Sequence, residues 1–282
     1  MDVIEKLKEK GYIRQAEILE SMAADCIEIK TSKSDESEFA LGESKIGGVP
    51  HLPADFEWGL FNGKPLAFLA QINLEQVSEY DTDGLLPKTG ILYFFHEGGD
   101  TVWGFDPEHK GGFRTVYYNG DISELKPVPL PDDLDDYLKF SSCRLQFSRE
   151  KSYPSNLYEL RHVFFGSDES EDDDDFYDIT LEDSGRTIHK LFGYPDLIQG
   201  DIFMECQLAG SGLYCGDPGV YDDPRAKELG KGVQDWILLF QTDTDENAGM
   251  DWGDAGRVYY AIKKQDLISG NFDEVWAVLQ CY

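Results

Sequence analysis

A chain that runs through one pattern of turn, strand and strand twice, in the same order, has to build its core from two copies of one unit. Gly48-Val49-Pro50-His51-Leu52 answers to Gly193-Tyr194-Pro195-Asp196-Leu197, and Phe68-Leu69-Ala70-Gln71-Ile72-Asn73 to Leu238-Leu239-Phe240-Gln241-Thr242-Asp243. Gly90-Ile91-Leu92-Tyr93-Phe94 answers to Gly256-Arg257-Val258-Tyr259-Tyr260. The glycines are 145 residues apart (193 − 48) and the glutamines 170 (241 − 71), so the second copy is longer by 25. The extra residues are expected around Gly210 to Gly232. A rival register pairs Ile91–Phe94 with Ile237–Phe240 and leaves the first strand unmatched; either register implies a duplication.

The unit itself reads as β structure. Gly-x-Pro-x-Leu is a turn, because glycine takes positive φ and proline fixes φ before the leucine re-enters the core. Alternation in the next strand places Leu66, Phe68, Ala70 and Ile72 on one face and Leu69, Gln71 and Asn73 on the other. Residues 2–25 place Ile4, Leu7, Ile13, Ile18, Leu19 and Met22 at helical spacing, interrupted near Gly11. The reading is therefore an α+β fold: two antiparallel sheet halves related by a pseudo-twofold, with an N-terminal helical segment. It divides the single domain into helices at 2–25, a first half at 26–126, a linker at 127–179 and a second half at 180–282. Proline at every second position from Pro127 to Pro131 stiffens the start of the linker. Its acidic run, 168–175, is expected to form a mobile loop.

Charge excludes whole classes of partner. Lys and Arg number 25 against 55 Asp and Glu, a formal net charge of −30, which repels a phosphate backbone. Nucleic acid is not expected; the acidity serves solubility or, as the alternative, steers a basic protein partner. The longest apolar runs, such as Leu66–Ala70, fall far short of the roughly 20 residues that span a bilayer, and the charged N-terminus lacks the apolar stretch of an export signal. No membrane association and a cytoplasmic location are expected. Five scattered cysteines without a Cys-x-x-Cys pair point to reduced thiols.

Ser44-Lys45-Ile46-Gly47-Gly48-Val49-Pro50, the strand through Phe68–Leu74, and Asp251-Trp252-Gly253-Asp254-Ala255-Gly256-Arg257 with the segment running on to Trp276 resemble the YwqG-like family of bacterial proteins. The resemblance covers nearly the whole chain. It implies a cytoplasmic, duplicated α+β fold and no assigned activity, catalytic residue or cofactor. Some relatives lie near toxin and immunity genes, which implies an interaction role.

Chemistry is harder to place. No dinucleotide, P-loop, metalloprotease or nucleophile-elbow motif is present, and the five histidines are dispersed. A Cys206–His189 nucleophile pair would have to be assembled in space. Gln71 and Gln241 sit on otherwise apolar strands, where an amide needs partners. They either brace a neighbouring turn or, with Asn73 and Asp243 two residues on, line a polar ligand cleft between the halves. Trp58, Trp103, Trp236, Trp252 and Trp276 serve packing or ring stacking. Asp243, Asp245, Asn247, Asp251 and Asp254 occupy positions 1, 3, 5, 9 and 12 of a loop, the spacing of calcium ligands in an EF-hand. Ala248 at position 6 and strand-like flanks exclude an EF-hand proper, leaving either a hairpin calcium site or Asx-type turn geometry. The functional expectation is an intracellular binding or interaction protein with an acidic surface; the alternative is an enzyme with its active site between the halves.

Overall fold

The computed structural model describes residues 3–99, 101–166, 173–181 and 188–282. Ten strands form one sheet: β1 (Ala24–Lys33), β2 (Lys45–Ile46), β3 (Ala67–Asn73), β4 (Ile91–His96), β5 (Phe113–Tyr118), β6 (Cys143–Ser152), β7 (His189–Leu191), β8 (Trp236–Asp243), β9 (Arg257–Lys263) and β10 (Trp276–Gln280). Their order across the sheet is β10-β9-β8-β7-β1-β6-β2-β3-β4-β5. Every pairing is antiparallel.

The expectation of two separate sheets gives way to one continuous sheet. β1 and β6 pair along ten residues, from Ala24 with Ser152 to Lys33 with Cys143. Each then hands on to a short strand, β1 to β7 and β6 to β2. The stretch 127–179, expected to be a linker, therefore supplies a central strand. Its sequence, Cys-Arg-Leu-Gln-Phe-Ser-Arg-Glu-Lys-Ser, is half-exposed along much of its length and so lacks the apolar run that marks the other strands. At its start Lys126–Pro127 pairs with His51–Leu52 in a two-residue ribbon. Of the acidic run 168–175, residues 173–175 open a helix, and 168–172 lie outside the described residues.

The face assignment of β3 also changes. A bulge between Phe68 and Ala70 shifts the register by one, so Phe68 faces Phe95 while Ala70 faces Phe94. Phe68 joins Leu66, Tyr93 and Phe95 in a small outer core, whereas Ala70 and Ile72 belong to the main one. An equivalent shift falls between Leu238 and Phe240 on β8. The sheet curls until its arms meet: Phe94 lies 4.5 Å from Phe240 between ring centroids, and the Tyr260 hydroxyl donates to the Phe95 carbonyl across 2.9 Å.

Eight α-helices occur among the described residues: α1 (Val3–Glu9), α2 (Ile13–Ser21), α3 (Leu74–Val77), α4 (Arg161–Phe165), α5 (Asp173–Leu181), α6 (Ile202–Gly210), α7 (Pro224–Leu229) and α8 (Lys264–Ser269). The first two form the N-terminal helical segment and pack with α4 and α5 around Leu7, Leu19, Phe164 and Phe176, a core separate from the main one. α6 and α7 lie between Leu197 and β8, where the second pattern is longer than the first. Among the described residues no helix is long and apolar enough to cross a membrane.

Candidate functional site

Gln71 and Gln241 are fully buried, and each is consumed by a turn. Gln71 Oε1 accepts the His51 N–H at 2.8 Å, and its amide nitrogen donates to the Glu43 carbonyl at 2.7 Å. Gln241 Oε1 accepts the Asp196 N–H at 2.9 Å, and its nitrogen donates to the Ile188 carbonyl at 3.0 Å. The parallel extends to the neighbours. Lys45 and Lys190 sit opposite the two glutamines and pair with Glu36 and Asp196. The Tyr93 and Tyr259 hydroxyls donate to the carbonyls of His51 and Asp196, each at 2.6 Å. Asn73 donates its N–H to Ser44 Oγ and caps α3. Among the described residues three cavities stand out, and none of these is lined by Gln71, Asn73 or Gln241.

The loop proposed for calcium is also sorted by its neighbours. Asp243 lies 3.1 Å from Arg257 Nε and accepts the Ile188 N–H at 2.8 Å. Asp245 takes the Thr31 hydroxyl at 2.6 Å and lies 3.1 Å from His189 Nε2. His189 Nδ1 accepts the Asp243 N–H, which leaves Nε2 to donate to that carboxylate. Burial pushes the Asp245 carboxyl up, but the hydrogen bonds from His189 and Thr31 outweigh it and hold the group at about 2. Asn247 donates to Thr31, and Asp251 and Asp254 are exposed. Among the described residues no three His, Cys, Asp or Glu side chains converge on a position that could hold a metal ion. The five calcium candidates are thus dispersed: Arg257 and His189, brought in from neighbouring strands, already engage the buried two.

The same loop walls a cleft. Gly249, Asp251, Trp252 and Gly253 line it from one side, Gly98, Gly99 and Trp103 from the β4–β5 segment, Tyr137, Leu138 and Phe140 from the approach to β6, and Leu279 from β10. Its volume is about 450 Å³. Trp252 is anchored as a floor by its indole N–H on the Asp243 carbonyl at 3.2 Å and by the Phe140 ring, while Tyr137 is 64% exposed at the rim. No Lys, Arg or His lines this cleft. Among the described residues Asp251 has no hydrogen bond or ion pair. Lys139, next in sequence to Leu138, is held by Asp136 at 2.9 Å. Sequence reasoning singled out Trp103, Trp252 and Asp251 separately and missed Tyr137, which lies in the supposed linker.

A larger cleft, about 880 Å³, opens elsewhere and is chemically different. Phe192, Tyr194, Phe203, Trp236 and Leu238 give it apolar walls, and Asp25, Asp83, Lys151 and Lys264 charge it with both signs. Lys151 and Arg149 hold the Asp25 carboxyl at about 2. Phe192 has φ of +62°, where the matching turn has Gly47 at +65°. Only glycine takes this conformation without strain. A Cβ on Gly47 would lie 2.3 Å from the Ser141 carbonyl oxygen, whereas the second turn has room for a phenylalanine that lines the cleft.

Several other reactive groups are shut in. Burial lowers His51 to about 4, with Lys45 adding to the effect, and lowers His96 to about 3. Burial raises Cys26 and Cys143 to about 11 and Cys206 further still, away from the thiolate that nucleophilic chemistry needs. Both nitrogens of His189 are engaged by the Asp243 N–H and Asp245, not by Cys206.

A sequence model of the family described as a domain of unknown function, DUF1963, matches residues 44–281, which is 238 of the 282 residues. Comparison with curated proteins gives no match. The matched span begins at β2, so the central strand β1 lies outside it.

Proposed function

The chain belongs to the DUF1963 family, and from that premise we propose that it is an intracellular binding protein for positively charged ligands or partners. The observation that carries this reading is the smaller cleft: Asp251, a carboxylate without a partner among the described residues, stands beside Trp103 and Tyr137 with no cationic lining residue, in a chain of net charge −30. A field of that sign draws cations toward any concavity that does not repel them. Within the family, the likeness to YwqG-like proteins is the finer assignment we adopt. An internal duplication accounts for the two glutamine-braced turns, the equivalent bulges on β3 and β8, and the longer connection that houses α6 and α7.

A thermal-shift screen of cationic, neutral and anionic metabolites tests the reading, since a ligand that binds the native state alone stabilises it by RT ln(1 + [L]/Kd). Cations are expected to raise the melting temperature of the wild type and not of Asp251→Asn. Stabilisation confined to anions, or an undiminished response in Asp251→Asn, overturns it. A second reading, an enzyme, is favoured by the larger cleft, which gathers residues from 23–85, Lys151 and residues from 192–268 and holds Asp83 and Lys264 without partners among the described residues. Lys264→Ala would then abolish turnover of whatever that cleft binds.

A further inference from the structure

We infer that the larger cleft is a slot in the sheet one strand wide, and that it takes a short extended peptide segment as an added strand. This goes beyond the cation-binding reading and does not rest on it. The strand that separates β1 from β8 is β7, which is 3 residues long. Lys190 of β7 pairs with Glu28 of β1 on one side and Gln241 of β8 on the other. At that level β1 and β8 therefore stand two strand spacings apart, about 10 Å. Both run on past the end of β7, β1 back to Ala24 and β8 back to Trp236. Among the described residues, Ala24–Cys26 pair only with β6 and Trp236–Leu238 only with β9. These two overhangs wall the cleft: Ala24 and Asp25 line it from one side, Trp236, Ile237 and Leu238 from the other. Ala24, Asp25 and Ile237 are half-buried, so the gap is open to solvent. Phe192 and Gly193, with φ of +62° and +72°, turn the chain out of the line of β7 where the slot begins.

The matching place in the first pattern is closed. There Gly47 donates its N–H to the Leu69 carbonyl at 2.8 Å and Gly48 to the Phe140 carbonyl at 2.9 Å, so the turn itself ties β3 to the approach to β6. Phe192 and Gly193 make neither bond among the described residues. Instead the Ser152 hydroxyl takes the Tyr194 N–H at 3.0 Å and donates to the Ala24 carbonyl at 3.2 Å, without reaching β8. A strand paired along one edge leaves alternate N–H and C=O groups directed away from its partner. What satisfies two such edges at once is another backbone. A segment running antiparallel to both walls bonds to β1 with one set of its peptide groups and to β8 with the alternate set. The overhangs set its length at about three to four residues, roughly 10–13 Å of strand. Leu85, Tyr194, Phe203 and Ile268 line the same cleft and suit apolar side chains, while two aspartates and two lysines favour neither sign of charge.

The test is panning of a phage-displayed library of random octapeptides against the full chain, followed by synthesis of the tightest binder and of forms with one N-methyl group at each of its central residues. Each methyl group removes one backbone donor and leaves the side chain in place. With pairing on both sides, every residue seated in the slot is expected to lose about tenfold in affinity, the size of one hydrogen bond. Nuclear Overhauser contacts should run from the bound peptide to the amides of both Ala24–Cys26 and Trp236–Leu238. Recovery of no binder, contacts confined to other surfaces, or tolerance of every N-methyl group overturns the inference. Losses at alternate residues only, with contacts to a single wall, overturn it as well, since the peptide then extends one edge and fills no slot.

Discussion

Gln71 and Gln241 use the same atoms in the same way: an amide oxygen on the N–H after a proline, an amide nitrogen on a carbonyl before a short strand, with a lysine opposite and a tyrosine closing the turn from the next strand. The two clefts share no such likeness. One is aromatic with a lone carboxylate, and the other is apolar with two lysines and two aspartates. The bonds that hold a turn are internal and must be satisfied whatever the protein binds, so they stay the same on both sides. A cleft wall faces solvent and constrains folding little, so its chemistry can diverge.

The largest expected effect tests the shared wiring. Gln71→Ala and Gln241→Ala should each cost on the order of 3 kcal/mol, because each strands buried backbone groups and leaves a void, and denaturant unfolding should give the two the same loss within about 1 kcal/mol. A tolerant variant on one side would break the equivalence. Next comes a difference. Asp245 has its folded pKa depressed from 3.8 to about 2, so its contribution is present above 3.8 and is lost as pH falls toward 2. Asp245→Asn should cost about 2 kcal/mol at neutral pH, with the gap from wild type closing across that window.

On the first side it is a histidine that titrates. His51 is held at about 4 against an ordinary 6.5, so the unfolded chain binds the proton first and stability falls as pH drops from 6.5 to 4. His51→Asn, whose amide oxygen can accept the Gly42 N–H in place of Nδ1, should flatten that fall by up to about 1.4 kcal/mol per pH unit. An unchanged slope would mean that the histidine is solvated. The smallest effect is at the cleft rim: Tyr137→Ala should change stability by less than about 0.5 kcal/mol, and a larger loss would make Tyr137 part of the fold and not of a site.

The sequence made some of this legible and hid the rest for physical reasons. β3, β4, β8 and β9 are apolar runs bounded by glycine and aspartate or asparagine, and both helices of the N-terminal segment flank the glycine that interrupts them. β6 was hidden because a central strand covered on one face alternates with charge and follows a proline-rich stretch. The bulge at Phe68 moved a side chain to the other face without leaving any mark in the residue pattern. The calcium spacing records where aspartates fall along a loop and not what meets them: Arg257 and His189 arrive from strands β9 and β7. The aromatic cleft draws on four segments between Gly98 and Leu279. No spacing rule joins residues so far apart.

Amide NMR is the most direct measurement, because the cleft carries four glycines whose N–H signals report its occupancy. In a titration of the full chain with tetramethylammonium, the expected result is saturable shifts at Gly98, Gly99, Gly249, Asp251, Trp252 and Gly253, with Gly84, Gly193 and Lys264 of the larger cleft unmoved. Shifts gathered at the larger cleft, or none at the aromatic one, would contradict the assignment of a cation site to it.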